Sequence, residues 1–320
     1  MTVDAADVRA AGRTLGDEVH RTPVLSSSLL GERAGVRLLL KAELLQKTGS
    51  FKPRGALNRL RNTSPEDLER GLVTVSAGNH AQGLAWAART VGASCTVVMP
   101  SNAPRAKVEA TRSYGGQVVL HGTVQDAYRR MEELRAERNL LLVHPYDDPL
   151  IIAGQGTVGL EIADQAPEVD AVVCPVGGGG LISGVAIAVK SKYPHARVIG
   201  VEPEGAAAMQ ASWQRGEVVQ LDEVDTIADG LAAPTVGQHT LPLARSHVDE
   251  MVMVSDAEIV EGMRALMRYA KLCAEPGGAA GVAALLAGKA PVRAGECVVA
   301  IVTGGNVDLD RLQELFEVGW

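Results

Sequence analysis

Short runs of Val, Leu and Ile at residues 36–41, 72–76, 95–99, 117–120, 140–143, 171–174, 198–201 and 297–302 alternate with stretches whose apolar residues recur every three to four positions, as at 81–91, 105–114 and 124–138. The first pattern is that of buried strands and the second that of helices lying on them. Parallel neighbours need a long crossover, which a helix supplies, so the alternation predicts an α/β fold: open, twisted, mostly parallel sheets covered by helices. Residues 71–147 form a compact series of such units, bounded by Asn62-Thr63-Ser64-Pro65 and by His144-Pro145-Tyr146-Asp147-Asp148-Pro149. A small inserted α/β domain is expected there, with residues 1–70 and 148–320 joined in a larger cofactor-binding domain and the cleft between them as the ligand site.

Composition narrows the function. Aromatics make up only 3% of the chain and the formal net charge is -7, with no basic run, so neither a stacking platform nor a phosphate-backbone surface is expected, and nucleic acid is excluded as a partner. Cys95, Cys174, Cys273 and Cys297 show no paired spacing and read as reduced thiols, and the seven histidines show no metal-ligand spacing. The first residues carry acids and no apolar core, so a cytoplasmic location without a leader is expected. Residues 171–189 are uncharged and long enough to cross a bilayer, but Pro175 and four successive glycines argue against a lipid-embedded helix, and no membrane association is expected.

Gly177, Gly178, Gly179 and Gly180 follow one apolar strand and precede Leu181-Ile182-Ser183-Gly184, a helical pattern. Successive backbone N–H groups at a helix amino terminus form an anion site, and a phosphate is the expected occupant. A nicotinamide dinucleotide is one candidate, and an oxidoreductase the corresponding alternative function. However, Ser183 stands where the last glycine of that fingerprint belongs. Earlier in the chain, Ser50-Phe51-Lys52-Pro53-Arg54-Gly55 offers a lysine beside an apolar ring; Pro53 predicts an extended Lys52 just before a helix, with an amine whose pKa burial would lower.

Taken in order, His20-Arg21-Thr22-Pro23, Lys47-Thr48-Gly49-Ser50-Phe51-Lys52, Ser76-Ala77-Gly78-Asn79-His80, Ala153-Gly154-Gln155-Gly156-Thr157, the glycine loop, Asp229-Gly230 and Thr303-Gly304-Gly305-Asn306 resemble the fold-type II pyridoxal-phosphate enzymes, within the threonine dehydratase and serine racemase group. The resemblance spans nearly the whole chain and implies a tryptophan synthase β-like fold with pyridoxal 5'-phosphate as cofactor. It further implies that Lys52 carries the cofactor as a Schiff base and takes the Cα proton, with Phe51 packed beside it. Asn79 would meet the ring hydroxyl, Gly177 to Gly180 and Leu181 the phosphate, and Thr303 the pyridine nitrogen. Ser76, Ala77, Gly78, Asn79 and His80 would form the loop that grips the substrate carboxylate.

The expected activity is dehydration and deamination of L-threonine or L-serine to 2-oxobutyrate or pyruvate and ammonia. The alternatives are another β-hydroxy amino acid, such as 3-hydroxyaspartate or phenylserine, and amino-acid racemisation. Racemases of the group carry a serine where Ala77 stands, and alanine can neither give nor take a proton, so racemisation is expected to be minor. Relatives with a divalent-cation site place carboxylates after the strand ending at Val201; Glu202 matches but Ala208 does not, leaving Glu202 a weak metal candidate and no metal expected. The resemblance also implies a homodimer or homotetramer. The short stretch after Thr303 leads us to expect no carboxy-terminal regulatory domain.

Overall fold

The computed structural model describes residues 2–166 and 168–317. Among the described residues ten strands form two sheets: β1 (Val24–Ser26), β2 (Arg37–Ala42), β3 (Leu72–Val75), β4 (Cys95–Met99), β5 (Gln117–Leu120), β6 (Leu141–Leu142), β7 (Ala171–Pro175), β8 (Arg197–Pro203), β9 (Glu250–Val254) and β10 (Cys297–Val302). The larger sheet runs β1-β2-β10-β7-β8-β9 and the smaller β5-β4-β3-β6. Only β1 pairs antiparallel; every other named pairing is parallel. The expected α/β class with two mostly parallel sheets is what the structure has.

Burial on both faces accounts for the uninterrupted apolar character of the central strands. In β7, Ala171 and Val173 face one core with the helix Pro276–Leu286, while Val172 and Cys174 face the opposite core with the helix Gly180–Lys192. β10 divides the same way, Val298, Ala300 and Val302 on one side and Val299 and Ile301 on the other. Each fully buried Val or Ile contributes roughly 1.5–3 kcal/mol. A charge introduced at either face would have no water to reach.

Beneath the small sheet, Leu72, Leu84, Val97 and Ile151 pack with Ala56, Leu57 and Leu60 of the helix Lys52–Arg61. The opposite side of that helix is held by a buried ion network. Arg54 is 0% exposed and donates to both oxygens of Glu43 at 2.8 Å and to Glu161 at 2.6 Å; Lys41 donates to Glu161 and to the Thr22 carbonyl. These partners belong to the end of β2, the turn after it and the helix Pro149–Gln165.

Two readings differ from the structure. β1 and β9 were not anticipated: β1 is only three residues long, and β9 is a half-exposed edge strand. Lys52 is not extended but is the first residue of its helix. An antiparallel bridge between Ser50 and Gly304, and the Phe51 N–H donated to the Thr303 carbonyl at 3.1 Å, turn the chain one residue before Pro53. A proline in the first helical turn costs no hydrogen bond there. Glu202 is fully buried and accepts from the Met209 and Gln210 N–H groups at 2.7 and 2.8 Å, serving the first turn of the helix Ala208–Arg215. Among the described residues no group of three metal-ligating side chains converges, and no helix is long and apolar enough to cross a membrane.

Candidate active site

The carboxyl ends of β3, β7 and β10 converge on one cavity of about 510 Å³, where open parallel sheets place their ligand crevice. It is lined by Phe51 and Lys52, by Ser76, Ala77, Gly78, Asn79 and His80 after β3, by Gly177, Gly178, Gly179, Gly180 and Leu181 after β7, and by Thr303 after β10. All the site residues expected from the sequence, Glu202 apart, therefore line a single space.

The Lys52 Nζ donates to the Pro145 carbonyl at 2.9 Å and lies 5.2 Å from the centre of the Phe51 ring. Burial brings its pKa down to about 8, with the charge of Glu275 opposing the fall. Among the described residues no carboxylate lies within salt-bridge distance of it, so its amine is held ready rather than neutralised.

At Gly178, Gly179 and Gly180 the glycine loop has no room for side chains. Gly179 has φ +91°, and a Cβ on Gly178 would lie 2.3 Å from the Tyr146 ring. Gly180 begins the helix Gly180–Lys192, so the first-turn N–H groups have no carbonyl one turn earlier to bond. With the helix's partial positive charge they suit a phosphate.

Asn79 is 9% exposed and its amide is oriented by two partners: Nδ2 donates to Glu275 Oε1 at 2.6 Å, and Oδ1 accepts from Asn306 Nδ2 at 2.7 Å. One N–H of Asn79 remains for the cavity. Thr303 Oγ1 has only a long contact, 3.4 Å, to the Gly277 carbonyl, leaving its hydroxyl available on the cavity side. Ser76 Oγ accepts from the Gly78 N–H at 3.2 Å, which folds the loop just before the helix Asn79–Val91. The His80 imidazole is committed elsewhere. Its Nε2 meets the Val143 carbonyl at 3.2 Å, and burial, helped by the Lys52 charge, pushes its pKa down to about 3. Only its main chain is free to serve a substrate carboxylate.

Residues 50–52, the glycine cradle and Thr303 thus fit pyridoxal phosphate: an available amine for the aldehyde, a built anion site for the phosphate, and a spare hydroxyl for the ring nitrogen.

Sequence reasoning missed three features. Tyr146 roofs Gly178 and donates its hydroxyl to the Thr235 carbonyl at 3.0 Å. Lys107, on the helix Arg105–Ser113, pairs with Asp229 at 2.6 Å across the cavity mouth. Glu275 is a buried carboxyl on the cavity wall. Its only signal in the sequence was an acid immediately before Pro276 at the head of an Ala-rich helix.

With this geometry in view, the likenesses to known proteins can be read. The family described as pyridoxal-phosphate dependent enzyme matches residues 15–304. The L-threonine ammonia-lyase of Thermotoga maritima is 46% identical over 314 residues, 98% of this chain and 78% of that protein. The processed form of threonine deaminase isoform 2 from Solanum lycopersicum superposes with a TM-score of 0.91 at 38% identity, over 98% of this chain and 91% of that one. Maize serine racemase superposes at 0.93 with 38% identity, over 99% and 97%. The nicotinamide reading of the glycine loop is set aside, and the chain belongs to the pyridoxal-phosphate dependent enzyme family.

Proposed function

We propose that this protein is an ammonia-lyase that eliminates water from L-threonine, and from L-serine as a second substrate, and that a water taken back on hydrolysis then releases ammonia, giving 2-oxobutyrate or pyruvate. The observation that carries the substrate class is the cavity wall. Ala77, Ala103, Val124, Leu231, Ala232 and Ala233 make it largely apolar, and among the described residues its only lining cations are Lys52 and the Asp229-paired Lys107. A small neutral side chain suits that wall. A second carboxylate, as in 3-hydroxyaspartate, would be desolvated without a free cation. Relatives named for threonine at 46% and 42% identity support the same reading.

Lys52 would hold the cofactor's aldehyde carbon, the N–H groups of Gly177, Gly178, Gly179, Gly180 and Leu181 its phosphate, Asn79 its ring hydroxyl and Thr303 its pyridine nitrogen, with Phe51 beside it. When bound, the cofactor supplies an electron sink for the substrate's α-carbon. The chain does the rest. The Ser76 hydroxyl, which the Gly78 N–H holds in place, and the N–H groups of Ala77, Asn79 and His80, at a helix amino terminus, bind the substrate carboxylate. The Lys52 amine, with its lowered pKa, takes the α-proton, and the Pro145 carbonyl accepts an N–H of the resulting ammonium. Thr303 offers a neutral hydroxyl and not a carboxylate, so it does not hold a proton on the ring nitrogen. That favours prompt loss of the β-hydroxyl over transamination.

Residues 71–147 are proposed to act as a small domain that closes on the remainder, with Lys107 and Asp229 meeting at the mouth. A homodimer or homotetramer in the cytoplasm, without metal, completes the proposal. The likeness to maize serine racemase raises racemisation as a second reading, and Ala77 argues against it.

The test is release of 2-oxo acid from L-threonine, L-serine, 3-hydroxyaspartate and phenylserine by cofactor-loaded wild type and Lys52→Ala. Turnover of threonine above serine, lost in the variant, is the expected result. A yellow protein, bleached by borohydride yet inactive on all four, would overturn the substrate assignment.

A further inference from the structure

Glu275 precedes Pro276 at the N-cap of the helix Pro276–Leu286, where a short polar side chain ordinarily folds back onto the first-turn N–H groups. Its carboxyl makes no capping hydrogen bond. It is 9% exposed, forms no salt bridge among the described residues, and reaches away from its helix to accept from Asn79 Nδ2 at 2.6 Å. Gly304 is pressed so closely against it that a Cβ there would stand 2.3 Å from Glu275 Oε1. A buried carboxyl without a cation costs stability, and this one supports neither its helix nor an ion pair.

The Asn79 amide that its carboxyl meets explains it. An amide side chain has two ends that can exchange by a half-turn, and Asn79 is prevented from turning: Asn306, itself donating to the Thr48 carbonyl at 2.7 Å, supplies a donor to one end, while Glu275 supplies an acceptor to the other. A donor N–H is thereby fixed toward the cavity. We infer that Glu275, together with Asn306, is a positioning residue of this active site, holding Asn79 as a hydrogen-bond donor to the cofactor ring and setting the strength of that donor by its own charge. The inference rests on the proposed contact between Asn79 and the ring.

An ionised Glu275 leaves the second Asn79 N–H a weaker donor and places a negative charge near the ring; a protonated Glu275 does neither. Burial pushes its pKa up to about 7, with the Asn79 hydrogen bond and the charges of Lys107 and Lys52 pulling it down and that of Asp229 raising it. Those charges lie on the helices Arg105–Ser113 and Lys52–Arg61 and the turn Asp229–Leu231, and Arg105, Asp308, Asp310, Arg311 and Glu314 line the outer cavity that Glu275 also borders. The charge of Glu275 is therefore expected to change with pH, and the environment of the ring with it.

The decisive measurement is the visible absorbance of the cofactor-loaded protein as a function of pH, for wild type, Glu275→Gln and Glu275→Asp, with KM and kcat on L-threonine alongside. Wild type is expected to show a spectral transition near pH 7 that Glu275→Gln lacks. Glu275→Asp keeps the charge and gains a capping side chain, so it folds, yet it is too short for Asn79. It is expected to shift the absorbance and lower kcat by about tenfold or more, with KM changed less than about threefold, the scale typical of an outer partner of a site residue. Spectra and kcat in Glu275→Gln and Glu275→Asp indistinguishable from wild type at every pH would overturn the inference. The spectral readout needs no turnover, so its loss in Glu275→Gln would sustain the role of Glu275 even if threonine proved not to be the substrate.

Discussion

The Lys52 amine and the Pro145 carbonyl are joined by a 2.9 Å hydrogen bond, and among the described residues no acid neutralises the amine. Because its pKa lies near 8 and only the neutral amine attacks an aldehyde, capture of pyridoxal phosphate by cofactor-free protein should speed up as pH rises from about 6 through about 8 and level off above it. Stopped-flow absorbance measures the rate; a flat profile would place the amine's ionisation elsewhere.

Gly178→Ala should weaken cofactor binding. The new Cβ would meet the Tyr146 ring at 2.3 Å, so either the ring or the loop must move. Losing one phosphate hydrogen bond costs about 1.5–3 kcal/mol, or roughly 10–100-fold in Kd. Fluorescence titration of the cofactor, with Gly92→Ala at an exposed helix end as a control, checks this.

Arg54→Met should be strongly destabilising even though it lies outside the cavity. Removing the guanidinium leaves Glu43 buried with only Lys41 and Thr22 nearby, and breaking a buried pair costs about 3–5 kcal/mol. Arg54→Lys should recover only part of this, because a point ammonium cannot reach both Glu43 oxygens and Glu161 at once. Thermal unfolding of all three proteins tests the order.

Ala77→Ser should raise conversion of L-serine to D-serine relative to pyruvate formation. It places a hydroxyl on the loop that lines the cavity, at the position where the resemblance to the racemases implies one. Chiral chromatography of the amino acid pool, run with a pyruvate assay, gives the ratio; an unchanged ratio would mean that Ala77 is not what suppresses racemisation.

Glu202→Ala should lower the melting temperature by removing the acceptor for the Met209 and Gln210 N–H groups, about 1–2 kcal/mol for the loss of such a cap. Magnesium or calcium should leave the wild-type melting temperature unmoved. A rise of several degrees with either ion would restore a cation site.

How much of this was legible in the sequence follows from where each signal lies. β4, β5 and β10 are short apolar runs with clear ends, and their limits agree to the residue with the structure. The cavity loops were legible because the glycines and Asn79 stand just after such runs, and Lys52 because it lies between an aromatic ring and a proline. What escaped depends on partners far along the chain. Nothing local marks Glu275 as reaching Asn79, 196 positions away, or Glu161 as bonding Arg54, 107 positions away. The helical start at Lys52 escaped for the same reason, since the local rule for a residue before proline was overridden by the bridge from Ser50 to Gly304.

β10 is the last strand among the described residues, yet it lies in the middle of the large sheet, between β2 and β7, and its end carries Thr303 and the bridge that sets Lys52. During synthesis, β2 and β7 must therefore wait as open edges until Val302 has emerged, exposed to pairing with other chains. A nascent chain halted before Cys297 is expected to remain colourless in pyridoxal phosphate. Acquisition of the cofactor's colour would then report that β2 and β10, more than 250 positions apart, have met.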